Sequence, residues 1–330
     1  LGTADYKPTT YWLGDQERPT RFFPTAVAQF ESPEKVILCV TPTVQNHTNL
    51  VQIHAELAAM GMPCTDLAIP EGHSEADLWL IFDRITGAVE TGETVIFDVT
   101  HSFRSLPILA FLAVAYLKAA KQVQVERVLY GAYEARDVIS NRSPVFDLTP
   151  FVSLLDWLAA TNRFIDTGDG HAMARLLRAE MPPGIQMGVD LEARQLGNQL
   201  RSAAEAIDDV SLALSVARPV ESMQAAAHLA ATLQQAAPGI LQRARPFGLL
   251  AEQVVRQYGQ FGLDKPAGEA NYAKNLWRQF YMITWYLDHR RIVQAVTLAR
   301  EWVVSLLAYR FAGNMFDNRS TRPAVELALN

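Results

Sequence analysis

Cysteine is scarce: the 330 residues contain only Cys39, inside the apolar run 36–40, and Cys64, just after Met62-Pro63. Two such residues, at neither redox nor metal-ligand spacing, make no disulfide framework and read as ordinary thiols of a reducing, cytoplasmic compartment. Basic charge is also short, with 29 Lys and Arg against 35 Asp and Glu and a formal net charge of -6. That balance argues against a broad surface for scanning long nucleic acid, so any anion site must be made locally. The longest continuous apolar stretch, 106–117, is too short to span a bilayer, and no membrane segment is expected. P-loop, G-x-G-x-x-G and G-x-S-x-G motifs are all missing. The seven histidines form no H-E-x-x-H pair and no linear cluster with carboxylates, so no metal site is expected. Leu1-Gly2-Thr3 resembles neither a signal peptide nor an initiator context.

What is abundant is apolar mass. At 49% hydrophobic residues the chain can bury at least one full core, and its length favours two domains. Buried-strand runs at 36–41, 64–69, 94–98 and 126–133 alternate with helical periodicity at 48–60, 74–90 and 105–121. Strand-helix alternation predicts an α/β unit with right-handed crossovers and a parallel sheet. A short extended piece at 145–148 follows, and the character then changes. Helical spacing is read at 151–160, 190–217, 221–236, 247–258, 272–287 and 291–310, punctuated by Pro182-Pro183-Gly184, Pro238-Gly239 and the segment 262–268. The boundary is expected within 150–185.

The segment Asp98-Val99-Thr100-His101-Ser102-Phe103-Arg104-Ser105-Leu106-Pro107 lies where a buried strand ends and a helix begins. Open α/β sheets place ligands there, and a helix start offers unpaired N–H groups and a positive dipole end to an anion. Thr100, Ser102 and Ser105 add hydroxyls, Arg104 a forked cation, and His101 or Phe103 a ring to stack on a base. A purely structural reading also stands, with Ser102 or Ser105 capping the helix, Asp98 orienting the loop and Arg104 solvated. The segment Gly2 to Tyr11, rich in small, hydroxyl and aromatic residues, is a second ligand loop or a disordered leader. His228 reads as a packed or surface helix residue and His289 as a helix end. The spaced aromatics Trp277, Tyr281 and Trp285 read as core or interface.

Leu1-Gly2-Thr3-Ala4-Asp5-Tyr6 with Thr10-Tyr11, together with the Asp98 to Pro107 string, resembles the D-x-T-H-G family of CRISPR-associated CARF proteins. Weaker matches follow in order at 130–132, 144–149, 155–157, 168–169 and 299–302, so the likeness runs along nearly the whole chain. It implies α/β followed by all-α: a Rossmann-like CARF domain at 1–150, a helical connector at 151–245 and a HEPN-like helical domain at 246–330. The implied activator is a cyclic oligoadenylate, cyclic tetra-adenylate foremost, bound across a homodimer axis. The residues implied to bind it are Gly2, Thr3, Ala4, Tyr6, Thr10, Tyr11, Thr41, Asp98, Thr100, His101, Ser102, Phe103, Arg104 and Ser105. The implied output is cleavage of single-stranded RNA without a metal.

Two departures matter. Ser102 stands where the family has glycine, and no Arg and His occur at the R-x4-6-H spacing such ribonucleases use. Catalytic residues are therefore unassigned and the last domain is expected to be incomplete, as is the first strand, whose end Leu1-Gly2-Thr3 matches. A sensor or regulator without nuclease chemistry, and a ring nuclease that opens its own ligand, remain as alternatives.

Overall fold

A computed structural model describes residues 2–100 and 106–329. The chain forms two compact units, Leu1–Leu155 and Asp156–Asn330, the first α/β and the second helical.

The α/β unit opens with a hairpin of β1 (Thr9–Leu13) and β2 (Gln16–Thr20), whose two-residue connection begins with Gly14 at a φ of 58°. Helix α1 (Phe23–Glu31) has Pro24 in its first turn, where the missing N–H costs nothing. Then come β3 (Val36–Val40), α2 (Pro42–Gln45), α3 (Thr48–Ala59), β4 (Cys64–Ala68), α4 (Glu75–Gly87), β5 (Thr94–Asp98), α5 (Leu106–Lys121), β6 (Gln124–Gly131) and β7 (Arg142–Asp147). Five strands form one sheet in the order β2-β1-β7-β6-β5, and β3 pairs with β4 in a second.

The sheet is mixed, where the sequence pattern predicts parallel pairing throughout. The pairs β3–β4, β5–β6 and β1–β7 are parallel, but β6–β7 and β1–β2 are antiparallel. Helices α3 to α5 supply crossovers. The connection 132–141 is shorter than the dozen or so residues a crossover needs, so β7 returns beside β6 in the opposite sense. Helix α1 covers the sheet, with Phe23, Ala26 and Val27 buried against Tyr11, Leu129 and Val145. Phe22 joins Leu38, Val40, Ile53 and Leu57 in a second core between α3 and β3.

Helix α6 (Thr149–Thr167) carries the chain into the helical unit. It is followed by α7 (His171–Ala179), α8 (Gly184–Val189), α9 (Leu191–Ser215), α10 (Pro219–Arg243), α11 (Arg245–Gly259), α12 (Tyr272–Asp288), α13 (Ile292–Ala312) and α14 (Thr321–Leu329). One cluster of buried side chains runs from Trp157 to Leu298. The predicted α9 stripe of Leu196, Leu200, Ala204, Ile207, Ser211 and Leu214 is buried as expected from its spacing.

Helix α10 continues through Pro238-Gly239, which the sequence suggests as a break. A proline removes one backbone donor and disturbs the preceding turn, and packing against α9 outweighs that cost. A Cβ on Gly239 would lie 2.5 Å from Gln199 Oε1 and 2.7 Å from Leu196 Cδ1, so the glycine permits the close approach. His289 does end α12: it is the C-cap, its Nδ1 lies 2.7 Å from the Trp285 carbonyl oxygen, and its ring stacks on Trp285. Helix α13 is long and apolar enough, by length and composition only, to cross a membrane. Arg300 and Glu301 interrupt its apolar run, so no continuous stretch marks it in the sequence.

Candidate ligand site at the strand ends

Strand β5 delivers Asp98 to its carboxyl end. The Thr100 N–H donates to Asp98 Oδ1 at 2.8 Å, and Thr100 Oγ1 accepts from the Gly131 N–H, also at 2.8 Å. The Val99 N–H reaches the Leu129 carbonyl at 3.1 Å, so the chain leaving β5 is pinned to β6 by backbone and side chain together. Gly131 must be glycine for this, because a Cβ there would fall 2.5 Å from the Phe23 ring.

Burial raises the Asp98 carboxyl above its usual range, against the opposing hydrogen bonds from Thr100. The folded state thus holds this proton more tightly than the unfolded chain, where an aspartate titrates at about 3.9. The contribution to stability is present below that value and is lost as pH rises through the raised one. Asp98→Asn should therefore gain stability relative to the parent as pH rises from acidic to neutral. Urea melts showing a pH-independent difference would contradict the assignment.

Strand β3 leads directly into Thr41, which is 2% exposed. Its hydroxyl makes no hydrogen bond of good geometry among the described residues. It does help hold the Glu71 carboxyl below its usual range, behind the stronger pull of the Thr43 hydroxyl. A buried hydroxyl without a full partner costs about 1–3 kcal/mol, a cost that a ligand can relieve.

Residues 2–6 lie across the start of α3. Asn49 Nδ2 donates to the carbonyls of Gly2 and Ala4 at 3.1 and 3.0 Å, and the Gly2 N–H donates to Tyr6 Oη at 2.9 Å. Tyr6 packs edge-on against Phe22. Burial raises its hydroxyl pKa, and the nearby Asp98 adds to the rise.

Gly2 and Tyr6 are thereby held together at the start of α3, while Thr41 and Asp98 line one cavity of 610 Å³ between β3 and β5. Leu38, Ile96 and Phe97 are among its apolar walls. Not every expected ligand residue joins them. Tyr11 is 1% exposed with its ring 4.9 Å from that of Phe23, so it belongs to the core, and Thr10 of β1 pairs with Pro19 of β2 and Arg142 of β7. Thr3 and Ala4 are exposed. His101, Ser102, Phe103, Arg104 and Ser105 lie outside the described residues.

In the helical unit, Trp285 is buried at 5% exposure but Trp277 is 62% exposed, so the aromatic spacing divides between core and surface. Trp277 and Tyr281, with Lys274 and Arg278, line a surface hollow of 300 Å³ on α12.

Comparison with known proteins adds a family context to the helical region. Residues 153–264 match the family model described as the second domain of the CRISPR-associated protein MJ1674. Over 115 residues the chain is 26% identical to the CRISPR-associated protein MJ1674 of Methanocaldococcus jannaschii. That stretch covers 34% of this chain and 18% of the relative. These likenesses support a CRISPR-associated protein.

Proposed function

We propose that the chain is a sensor of cyclic oligoadenylate, with cyclic tetra-adenylate the first ligand to try, whose helical region turns binding into an RNA-directed output. The observation that carries this reading is the pinned turn Asp98–Thr100, where β5 ends just before α5 in a chain whose next region is similar to a CRISPR-associated domain. Phosphates suit this place. A helix start offers N–H donors to an anion, and Thr41 brings a buried hydroxyl to the cavity that Asp98 also lines. Arg104 and the Ser102 and Ser105 hydroxyls are assigned to the phosphates, and His101 or Phe103 to an adenine. A symmetric cyclic ligand is matched by a two-fold pair of copies, which makes a homodimer the expected cytoplasmic form.

The proposed output is metal-free cleavage of single-stranded RNA. The α12 hollow supports contact with such a strand, because two exposed aromatic faces beside two cations suit stacked bases and a phosphate backbone. The lack of an R-x4-6-H pair in these residues favours a second reading, a sensor that passes its signal on without cutting.

Calorimetry with cyclic tetra- and hexa-adenylate tests binding, and Arg104→Ala should weaken it by about 1–3 kcal/mol. Affinity unchanged by that substitution removes the site assignment. A fluorescent RNA incubated in EDTA with and without the ligand tests the output. Cleavage only in the presence of ligand supports the nuclease, and binding without cleavage leaves the sensor.

A further inference from the structure

Tertiary structure builds a ligand set that no linear spacing reveals. In β4 the alternation of side chains puts Cys64 and Asp66 on one face, and α3 lays His54 over it, held by its buried neighbours Ile53 and Leu57. One atom from each residue, a ring nitrogen, a thiol sulfur and a carboxylate oxygen, lies within 4.8 Å of the other two. His54 Nε2 is already 2.9 Å from Asp66 Oδ1. All three side chains are part exposed or exposed, so an ion can reach them from solvent.

We infer that His54, Cys64 and Asp66 form a binding site for a transition-metal ion of the zinc class. The donor set decides the class. Imidazole and thiolate favour zinc and its neighbours over magnesium or calcium, which take oxygen. Zinc bonds of about 2.0–2.3 Å in tetrahedral geometry place ligand atoms roughly 3.5 Å apart. The widest present separation therefore needs to close by about 1 Å, which side-chain rotation on these part-exposed residues supplies. Three protein ligands leave a fourth position for water. Strands β3 and β4 form a two-stranded sheet, an arrangement weak by itself, and the ion would strengthen it by tying α3 directly to β4. This inference does not depend on the cyclic-nucleotide reading.

Cobalt(II), added alone to the reduced full chain, tests it. The expected result is one equivalent bound, with the visible bands of a tetrahedral site and a thiolate-to-cobalt charge-transfer band, both displaced by zinc. Zinc should raise the melting temperature, since binding to the native state alone stabilises it. Cys64→Ser should abolish the charge-transfer band and His54→Ala should weaken binding at least tenfold, while Cys39→Ser should leave both intact. Circular dichroism checks that each variant is folded. No charge-transfer band in the parent chain, or a band that persists in Cys64→Ser, overturns the site.

Discussion

Truncating Phe164 to alanine should cost the helical unit about 3–5 kcal/mol, the usual range for a fully buried aromatic ring. The ring is completely buried and stacks on Tyr258 with centroids 4.3 Å apart. Tyr258 is tied back to the same turn, its hydroxyl donating to the Phe164 carbonyl. Its other side meets Trp285 and Phe261. Removing one ring therefore leaves a void that its neighbours are poorly placed to fill, because each is fixed by a second partner. Such a loss is a large share of the 5–15 kcal/mol that holds a typical domain together. Urea unfolding followed by tryptophan fluorescence, with Trp285 inside the affected cluster, measures it. A loss below about 1 kcal/mol would mean that the aromatic cluster repacks around the gap.

Gly131→Val should damage both stability and ligand binding. Its Cβ would lie 2.5 and 2.6 Å from Phe23 Cδ2 and Cγ, closer than any relaxed contact. Phe23 has no room to retreat, being fully buried with Tyr11 at 4.9 Å. Overpacking of this kind costs about 1–3 kcal/mol. The backbone of Gly131 also donates to Thr100, so a shift of β6 is passed to the turn that ends β5. Reduced affinity for cyclic oligoadenylate should accompany the lower melting temperature. Phe23→Leu made in the same chain should recover part of both losses, a coupling that a double-mutant cycle reads directly. Additive effects would show that the ring contact is not the cause.

Much of this architecture is legible in the residues. The run Thr94-Val95-Ile96-Phe97-Asp98 is apolar, bounded and β-rich, and it is a strand over those very positions. The α9 stripe is legible for the same reason, since one face of a long helix repeats its burial several times. The β1–β2 hairpin is harder to see because Gln16-Glu17-Arg18-Pro19-Thr20 is polar and contains a proline, both of which an edge strand tolerates. Helix α1 is short, though Pro24 and the spacing of Phe23, Ala26, Val27 and Phe30 carry its signal. At the candidate site the sequence shows Asp98 and Thr100 at a strand end, but not that Thr100 is held by a residue 31 positions later. The His54, Cys64 and Asp66 cluster depends likewise on the docking of a helix over a strand. Contacts of that kind are products of tertiary packing and leave no periodic trace.

Strands β3 and β5 each have one ladder partner among the described residues, and both line the same cavity. Backbone donors and acceptors left along two strand edges are a template for strand addition. Each strand is five residues long, so the template spans roughly 17 Å, and a segment entering between helix-covered layers would need apolar side chains on both faces. Docked there in register with both edges, it would join the two sheets into one. The same opening is a hazard in concentrated solution, because a neighbouring molecule's strand satisfies those groups as well as a strand of the protein's own. The tendency of the α/β unit to exchange strands between copies thus follows from what lies against β3 and β5.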